Sequence, residues 1–393
     1  MSLILTIVIY VAFVSLGLPD SLLGSAWPVM HGDIGAAVSI AGAVSMIISV
    51  CTIISSLFSV RIVKRIGTGL LVAISVLTTS AAMICFSFAT SAWQLFIFAI
   101  PYGLGAGAID SCLNNYVALH LSARHMSWLH CCWGIGATVS PYIMGFSLGT
   151  EASWHGGYRF VALIQLIIAV SMFASVPLWK KSEKSSEDGD ADSEQIVLSI
   201  PGVFRLKGVA AFFLGFLFYC ALETLPMVWA STYFCDFYGT DSEKAAFFAS
   251  MFYIGMTVSR LFCGFISEKL GDRLLIRGGL LSALAASLLI SAPFRNSIPA
   301  AVGFVLAGIG CGPVYPCIIH STPPYFGRKY SGSIIGVQMG FAYIGTTSAP
   351  YLFGKLSEFL SMRSLPFVMV AFAALSLFFT EYTNAAVARN QNK

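Results

Sequence analysis

Residues 264–273 read GFISEKLGDR, and residues 60–69, 204 positions earlier, read VRIVKRIGTG. Each is a short basic turn with a glycine near its end, set between two long apolar runs. Two more pairs follow in the same order. GLGAG at 103–107 matches GIGCG at 308–312, and GATVSPYIMG at 136–145 matches GTTSAPYLFG at 345–354. Three matches in order, at offsets of 204 to 209, describe a chain built from two copies of one unit.

The material around these turns is membrane-like. Of 393 residues, 57% are hydrophobic and 10% charged, and mean hydropathy is +0.82. A soluble domain carries roughly 25% charged residues, so the composition predicts an integral membrane protein of helical spans. Twelve spans are predicted, at 3–28, 36–60, 69–90, 93–121, 126–148, 158–179, 207–234, 244–267, 274–294, 298–322, 331–354 and 365–386. The first begins at Leu3 with no basic leader before it, and reads as an uncleaved helix. Residues 180–206 are Ser- and Asp-rich and charged, with a disordered middle expected. They are predicted to tether an N-terminal six-helix bundle, 1–179, to a C-terminal one, 207–393. The expected fold is all-α: twelve transmembrane helices in two pseudo-symmetric bundles.

Sixteen of the 22 Lys and Arg fall on the loops after even-numbered spans and on the C-terminal tail. Five fall on the opposite side, and Arg260 lies within a span. The positive-inside rule then places both termini in the cytoplasm, with the chain in the cell membrane. The ten cysteines show no C-x-x-C spacing and read mostly as small buried hydrophobes; no metal site or cofactor is expected.

Ionisable residues inside spans are costly and mark function by default. Asp110 lies mid-span in PYGLGAGAIDSCLNNYVALHL, with Asn114 one turn further on the same face and small residues that admit a neighbouring helix. Asp20 stands in GLPDSLLGSAWP. It reads either as a protonated structural carboxyl or as a proton carrier and hydroxyl acceptor. Glu223 matches Asp20 at an offset of 203 and has two readings, a substrate contact or a partner for Arg260. Arg260 needs a carboxylate or an anionic solute, unless it snorkels to an interface.

With these residues in view, the chain resembles the major facilitator superfamily over essentially its whole length. The second-half turn carries Gly264, Glu268, Lys269, Gly271 and Arg273, beside Asp272, at the spacing of that family's signature, G-x-x-x-[DE]-[RK]-x-G-x-[RK]. The first-half copy keeps Arg65 and Gly67 but has Lys64 where an acid is usual and Val60 where glycine is usual. The resemblance implies two bundles of inverted three-helix repeats rocking about a midplane site, with these turns as conformational gates. A narrower resemblance, to the fucose permease branch of proton-coupled sugar symporters, rests on Asp20 and on AIDSCLNN, where that branch usually has Glu at the position of Asp110. It implies proton coupling through Asp110 and Asp20, and solute contacts from Asp20 and from His130 in the fifth span.

Sugar recognition also needs planar hydrogen-bonding groups and an aromatic face. The candidates are Asn114, Asn115, His130, Tyr315, His320 and Gln338, with Trp133 and Trp229 as platforms, beside Glu223 and Arg260. Each has a plainer reading as interhelical glue or packing. The expectation is a monomeric symporter, not an enzyme, moving a monosaccharide or similar small polar solute with protons. Proton-driven efflux of a drug or lipid and a transport-inactive sensor are the alternatives. Neither H-E-x-x-H nor G-x-x-x-x-G-K-[ST] is present, and the basic residues follow membrane topology, which leaves nucleic-acid binding unsupported.

Overall fold

A computed structural model of the chain describes residues 3–36, 40–187, 196–240 and 242–391. Among these residues the regular structure is helical throughout. The helices of the first half are α1 Leu3–Asp20, α2 Leu22–Asp33, α3 Ile40–Ile66, α4 Thr68–Phe86, α5 Ala92–His120, α6 Ala123–Leu148 and α7 Ser153–Glu187. Those of the second are α8 Ile200–Phe204, α9 Val209–Tyr238, α10 Ser242–Leu270, α11 Asp272–Ser291, α12 Ile298–Cys311, α13 Val314–His320, α14 Thr322–Phe326, α15 Ser331–Leu360 and α16 Leu365–Gln391. Ten described helical segments are long and apolar enough to cross a membrane, counting α1 with most of α2, and α12 with α13, as one each. The long helices α6 and α15 fall outside that set, diluted by His, Ser, Thr and Gly along their length. The predicted tether has its central residues, 188–195, outside the described set.

Contacts divide the chain into two compact units. One comprises Met1–Tyr116, Leu129–Val197 and Arg328–Gly340; the other comprises Val117–Trp128, Leu198–Gly327 and Phe341–Lys393. Each unit thus takes in a short stretch from the other half of the sequence.

The sequence repeat reappears as repeated backbone contacts. A Cβ on Gly103 would stand 2.4 Å from the Ile48 carbonyl oxygen, and one on Gly308 would stand 2.1 Å from that of Phe252. Both partners are 204 positions apart. Gly136 approaches Val14 and Gly345 approaches Leu217 in the same way, at 2.3 and 2.5 Å. At these distances only glycine lets the backbones meet, so the shared GxGxG and GxTxxP patterns fix which helices cross and where. The signature turns agree as well. Gly67 and Gly271 both carry positive φ, 81° and 74°, at the N-caps of α4 and α11.

Prolines set the bends. A proline within a helix removes an N–H and releases the carbonyl four residues back. In a membrane that carbonyl must find another donor. Pro19 releases the Ser15 carbonyl, which accepts from Gln165 Nε2. Pro141 releases that of Ala137, which accepts from Ser21 Oγ at 2.7 Å. Pro313 and Pro316 release Ile309 and Gly312, taken by Ser259 Oγ at 2.7 Å and Arg260 Nε at 3.3 Å. Two spans that read as continuous in sequence, 3–28 and 298–322, are accordingly interrupted, at Ser21 and around Gly312–Pro313.

Candidate functional site

In the first unit, Asp20 is the last residue of α1, immediately before the interruption at Ser21, where the Gly17–Gly136 approach brings α6 alongside. Its carboxylate is exposed and accepts from Tyr102 Oη on α5 at 2.5 Å and from Trp133 Nε1 on α6 at 2.8 Å. Asp110 differs: it is 5% exposed, and Asn114 Nδ2 donates to its Oδ1 at 2.7 Å and to its carbonyl at 2.9 Å. Asn114 Oδ1 in turn lies 3.2 Å from His130 Nε2, which makes that nitrogen the donor. His130 packs edge-on against Phe13, with ring centroids 5.4 Å apart. Three helices thus present one open carboxylate and one buried carboxylate, the second joined to an imidazole through an amide.

The second unit holds a different cluster. Arg260 on α10 and Glu223 on α9 are 5% and 7% exposed and pair through Nη2 and Oε1 at 2.6 Å. Of the two sequence readings of Arg260, the paired one is the one found. Tyr219, one turn before Glu223, donates from its hydroxyl to the Cys311 carbonyl at 2.8 Å, beside the Gly312 carbonyl that Arg260 holds. Phe216, Tyr219 and Tyr315 pack together, with Phe216 and Tyr315 centroids 4.8 Å apart. The broken α12–α13 junction is therefore the anchor of this cluster.

Other predicted solute contacts are held elsewhere. Asn115 accepts from Ser331 Oγ at 2.7 Å, and Trp229 donates from Nε1 to the Pro350 carbonyl at 3.1 Å. Gln338 is fully buried on α15, in the stretch that belongs to the first unit. His320 ends α13 with Nδ1 2.6 Å from Asp272 Oδ2 and Nε2 3.4 Å from the Leu121 carbonyl. Both partners are acceptors, so the doubly protonated ring satisfies the two together.

Two residues of the second-half signature turn have defined partners. Glu268 accepts from Arg124 Nη2 at 2.7 Å and from Ser122 Oγ at 2.8 Å. Gly264 leaves room for Trp128, whose indole nitrogen would lie 2.2 Å from a Cβ there. Arg124 lies 5.8 Å from the Trp128 ring. Burial, then Arg124, hold the His125 pKa below the ordinary histidine value against the pull of Glu268, so at neutral pH His125 adds no positive charge. Lys269 lies in the last turn of α10; Asp272 and Arg273 open α11 and line a cavity of about 260 Å³ with Tyr325 and Asn384. Lys64 and Arg65 close α3 before Gly67. Among the described residues no group of His, Cys, Asp and Glu is arranged to hold a metal ion.

Because Arg124 and Glu268 are half-exposed, their pair contributes at most about 1 kcal/mol to stability. Glu268→Gln is therefore expected to leave the unfolding midpoint nearly unchanged while speeding amide exchange across residues 121–128. Unchanged exchange would mean that Trp128 packing, not the charge pair, fastens the turn.

Tyr102, Tyr219, Gln165 and Ser21 are contacts the sequence reading did not single out. Tyr219 had a signal, lying one helical turn before a buried acid.

Comparison with known proteins agrees with the geometry. The chain matches the sequence profile of the Major Facilitator Superfamily over residues 9–350, and again over 211–392. The chain belongs to that superfamily. An uncharacterized transporter of Sinorhizobium fredii, y4wD, is 27% identical over 327 residues, 81% of this chain and 80% of the relative. The gentisate transporter of Corynebacterium glutamicum is 23% identical over 334 residues, 82% and 74% of the two chains. The solved structure of the E. coli fucose:proton symporter superposes with a TM-score of 0.78 at 14% identity, covering 97% of this chain and 98% of that one. At that identity the likeness is one of fold. As a superfamily member the chain is a multi-pass membrane transporter for a small-molecule substrate.

Proposed function

We propose that this transporter couples the movement of a small polar organic solute to protons, by alternating access. The observation that carries the reading is the first-unit constellation. Asp110 is buried and hydrogen-bonded to Asn114, which leads to His130, while Asp20 remains open between Tyr102 and Trp133. A carboxyl that is wet in one conformation and sealed in another can take a proton from one side and release it to the other. Asp110 is the coupling residue in this reading and Asp20 orders the solute. Two six-span bundles, 1–179 and 207–393 joined by 180–206, carry the cycle, with α6 and α15 completing twelve spans and both termini in the cytoplasm. The functional unit is a monomer in the cell membrane.

The monosaccharide expected from sequence has less support from the geometry. Asn114 and His130 are engaged with Asp110 and each other, Asn115 with a serine and Trp229 with a carbonyl, so these four candidate side chains already have protein partners. The gentisate-transporting relative supports an organic acid instead.

The test is solute-driven proton uptake into proteoliposomes, across a panel of monosaccharides and aromatic carboxylates. Wild type should show uptake with at least one solute. Asp110→Asn should cut coupled flux at least tenfold while solute exchange persists, in keeping with the usual effect of losing a positioned acid–base group, on the order of 10²–10⁴. If Asp110→Asn keeps full coupling, or no solute moves protons, the reading is wrong.

A further inference from the structure

Resting on the proton-coupled reading, we infer that Arg260 and Glu223 form a carboxylate-exchange site: an aromatic carboxylate replaces Glu223 on Arg260, and Glu223 takes up a proton. Arg260 is the fixed member of the pair. Its Nε is bound to the Gly312 carbonyl that Pro316 releases, so the guanidinium stays in place whatever Glu223 does. The guanidinium has five N–H groups, and its contacts with Gly312, Glu223 and Tyr219 account for three. Glu223 is the exchangeable member, on another helix and joined to Arg260 through one oxygen.

Two facts define the ligand. A planar fork with unused donors suits a carboxylate, which accepts two parallel bonds. Phe216, Tyr219 and Tyr315 make an aromatic wall beside it, with centroids 4.8 to 6.3 Å apart, which suits a flat ring. The proton follows from charge balance. Once displaced, Glu223 would be a buried carboxylate with no cation beside it, a state that neutralises rather than persists. The solute anion and one proton enter together, an O–H bond forms on Glu223, and the cluster's net charge does not change. The titratable groups facing the pair are Tyr219 on α9, Tyr253 on α10, Cys311 on α12 and Tyr315 on α13. None of them is a second acid or base that would duplicate Glu223.

Equilibrium binding of gentisate to the purified full chain in nanodiscs, from pH 5.5 to 7.5, is the experiment, with hydroquinone as the matched probe lacking a carboxylate. Wild-type affinity should fall about tenfold per pH unit, the slope of one coupled proton. Glu223→Gln, which keeps the shape and a hydrogen-bond acceptor, should bind at least as tightly as wild type at its acid limit and lose the slope. Hydroquinone should not compete. Glu223→Asp guards against misfolding of the glutamine variant and should keep the slope. The inference is overturned if Glu223→Gln retains the wild-type slope, or if hydroquinone competes as well as gentisate. The slope is also read in Asp110→Asn. If a neutral solute alone moves protons, the exchange site is wrong and the coupled-transport reading stands. If gentisate binding depends on Glu223 but no solute moves protons, the reverse holds.

Discussion

Replacing Arg260 with leucine should destabilise the protein by about 3–5 kcal/mol, the usual cost of breaking a buried ion pair by removing one partner. Two groups lose their partner at once. Glu223 is left as a carboxyl at 7% exposure, and the Gly312 carbonyl loses the donor that compensates for Pro316. The double variant Arg260→Leu/Glu223→Leu removes the stranded acid and should recover most of the loss, because a well-packed apolar pair is often no worse than the ion pair it replaces. Denaturant unfolding in detergent, followed for wild type, both singles and the double, gives the coupling. Equal losses in single and double variants would show that the carbonyl bond, not the ion pair, sets the cost.

The second large effect is expected at Gly308. Its α-carbon sits so near the Phe252 carbonyl that a Cβ would approach to 2.1 Å, and the obstacle is backbone, which no rotamer change can move. Gly308→Ala should therefore force α12 off α10 and cost about 3 kcal/mol, the upper part of the overpacking range. Gly103→Ala, with 2.4 Å to Ile48, should behave alike in the other repeat. Gly134→Ala is the control. Nothing lies within 4 Å of its Cβ, so alanine should be neutral or gain about 1 kcal/mol from helix propensity. Thermal unfolding of the three variants decides the point. Tolerance of alanine at 308 would mean the helices separate at little cost.

These glycines explain why so much of the architecture was legible. A GxGxG run inside an apolar span is a poor helix former unless another backbone lies against it, so its repetition at 103–107 and 308–312 located the same crossing twice. Buried charges were legible for a similar reason. Asp20, Asp110, Glu223 and Arg260 each stand out because lipid makes them expensive, and the pairing of Glu223 with Arg260 was one of two readings that geometry had to choose between. What sequence could not supply is the identity of a distant partner. The prolines say which carbonyls are released, but not that Gln165, 150 residues from Ser15, supplies the donor. Nor does any periodicity tell that Asn114 serves Asp110 rather than a solute, or that His320 turns toward Asp272 at a helix end. Those outcomes depend on which faces meet, and a small serine or glutamine gives little hint of that.

The proline-released carbonyls also have a place in time. Ribosomes deliver about 5–20 residues per second, so the Ser15 carbonyl is made on the order of ten seconds before Gln165 exists to receive it. Ala137 fares differently, since its donor Ser21 was made first, 116 residues earlier. Until Gln165 arrives, the first helix carries an unsatisfied carbonyl whose exposure to hydrocarbon costs several kcal/mol. The opening helix of the chain is thus kept unsettled by its own bend until the last long helix of the first repeat enters, which ties its final seating in the bilayer to synthesis of the whole repeat.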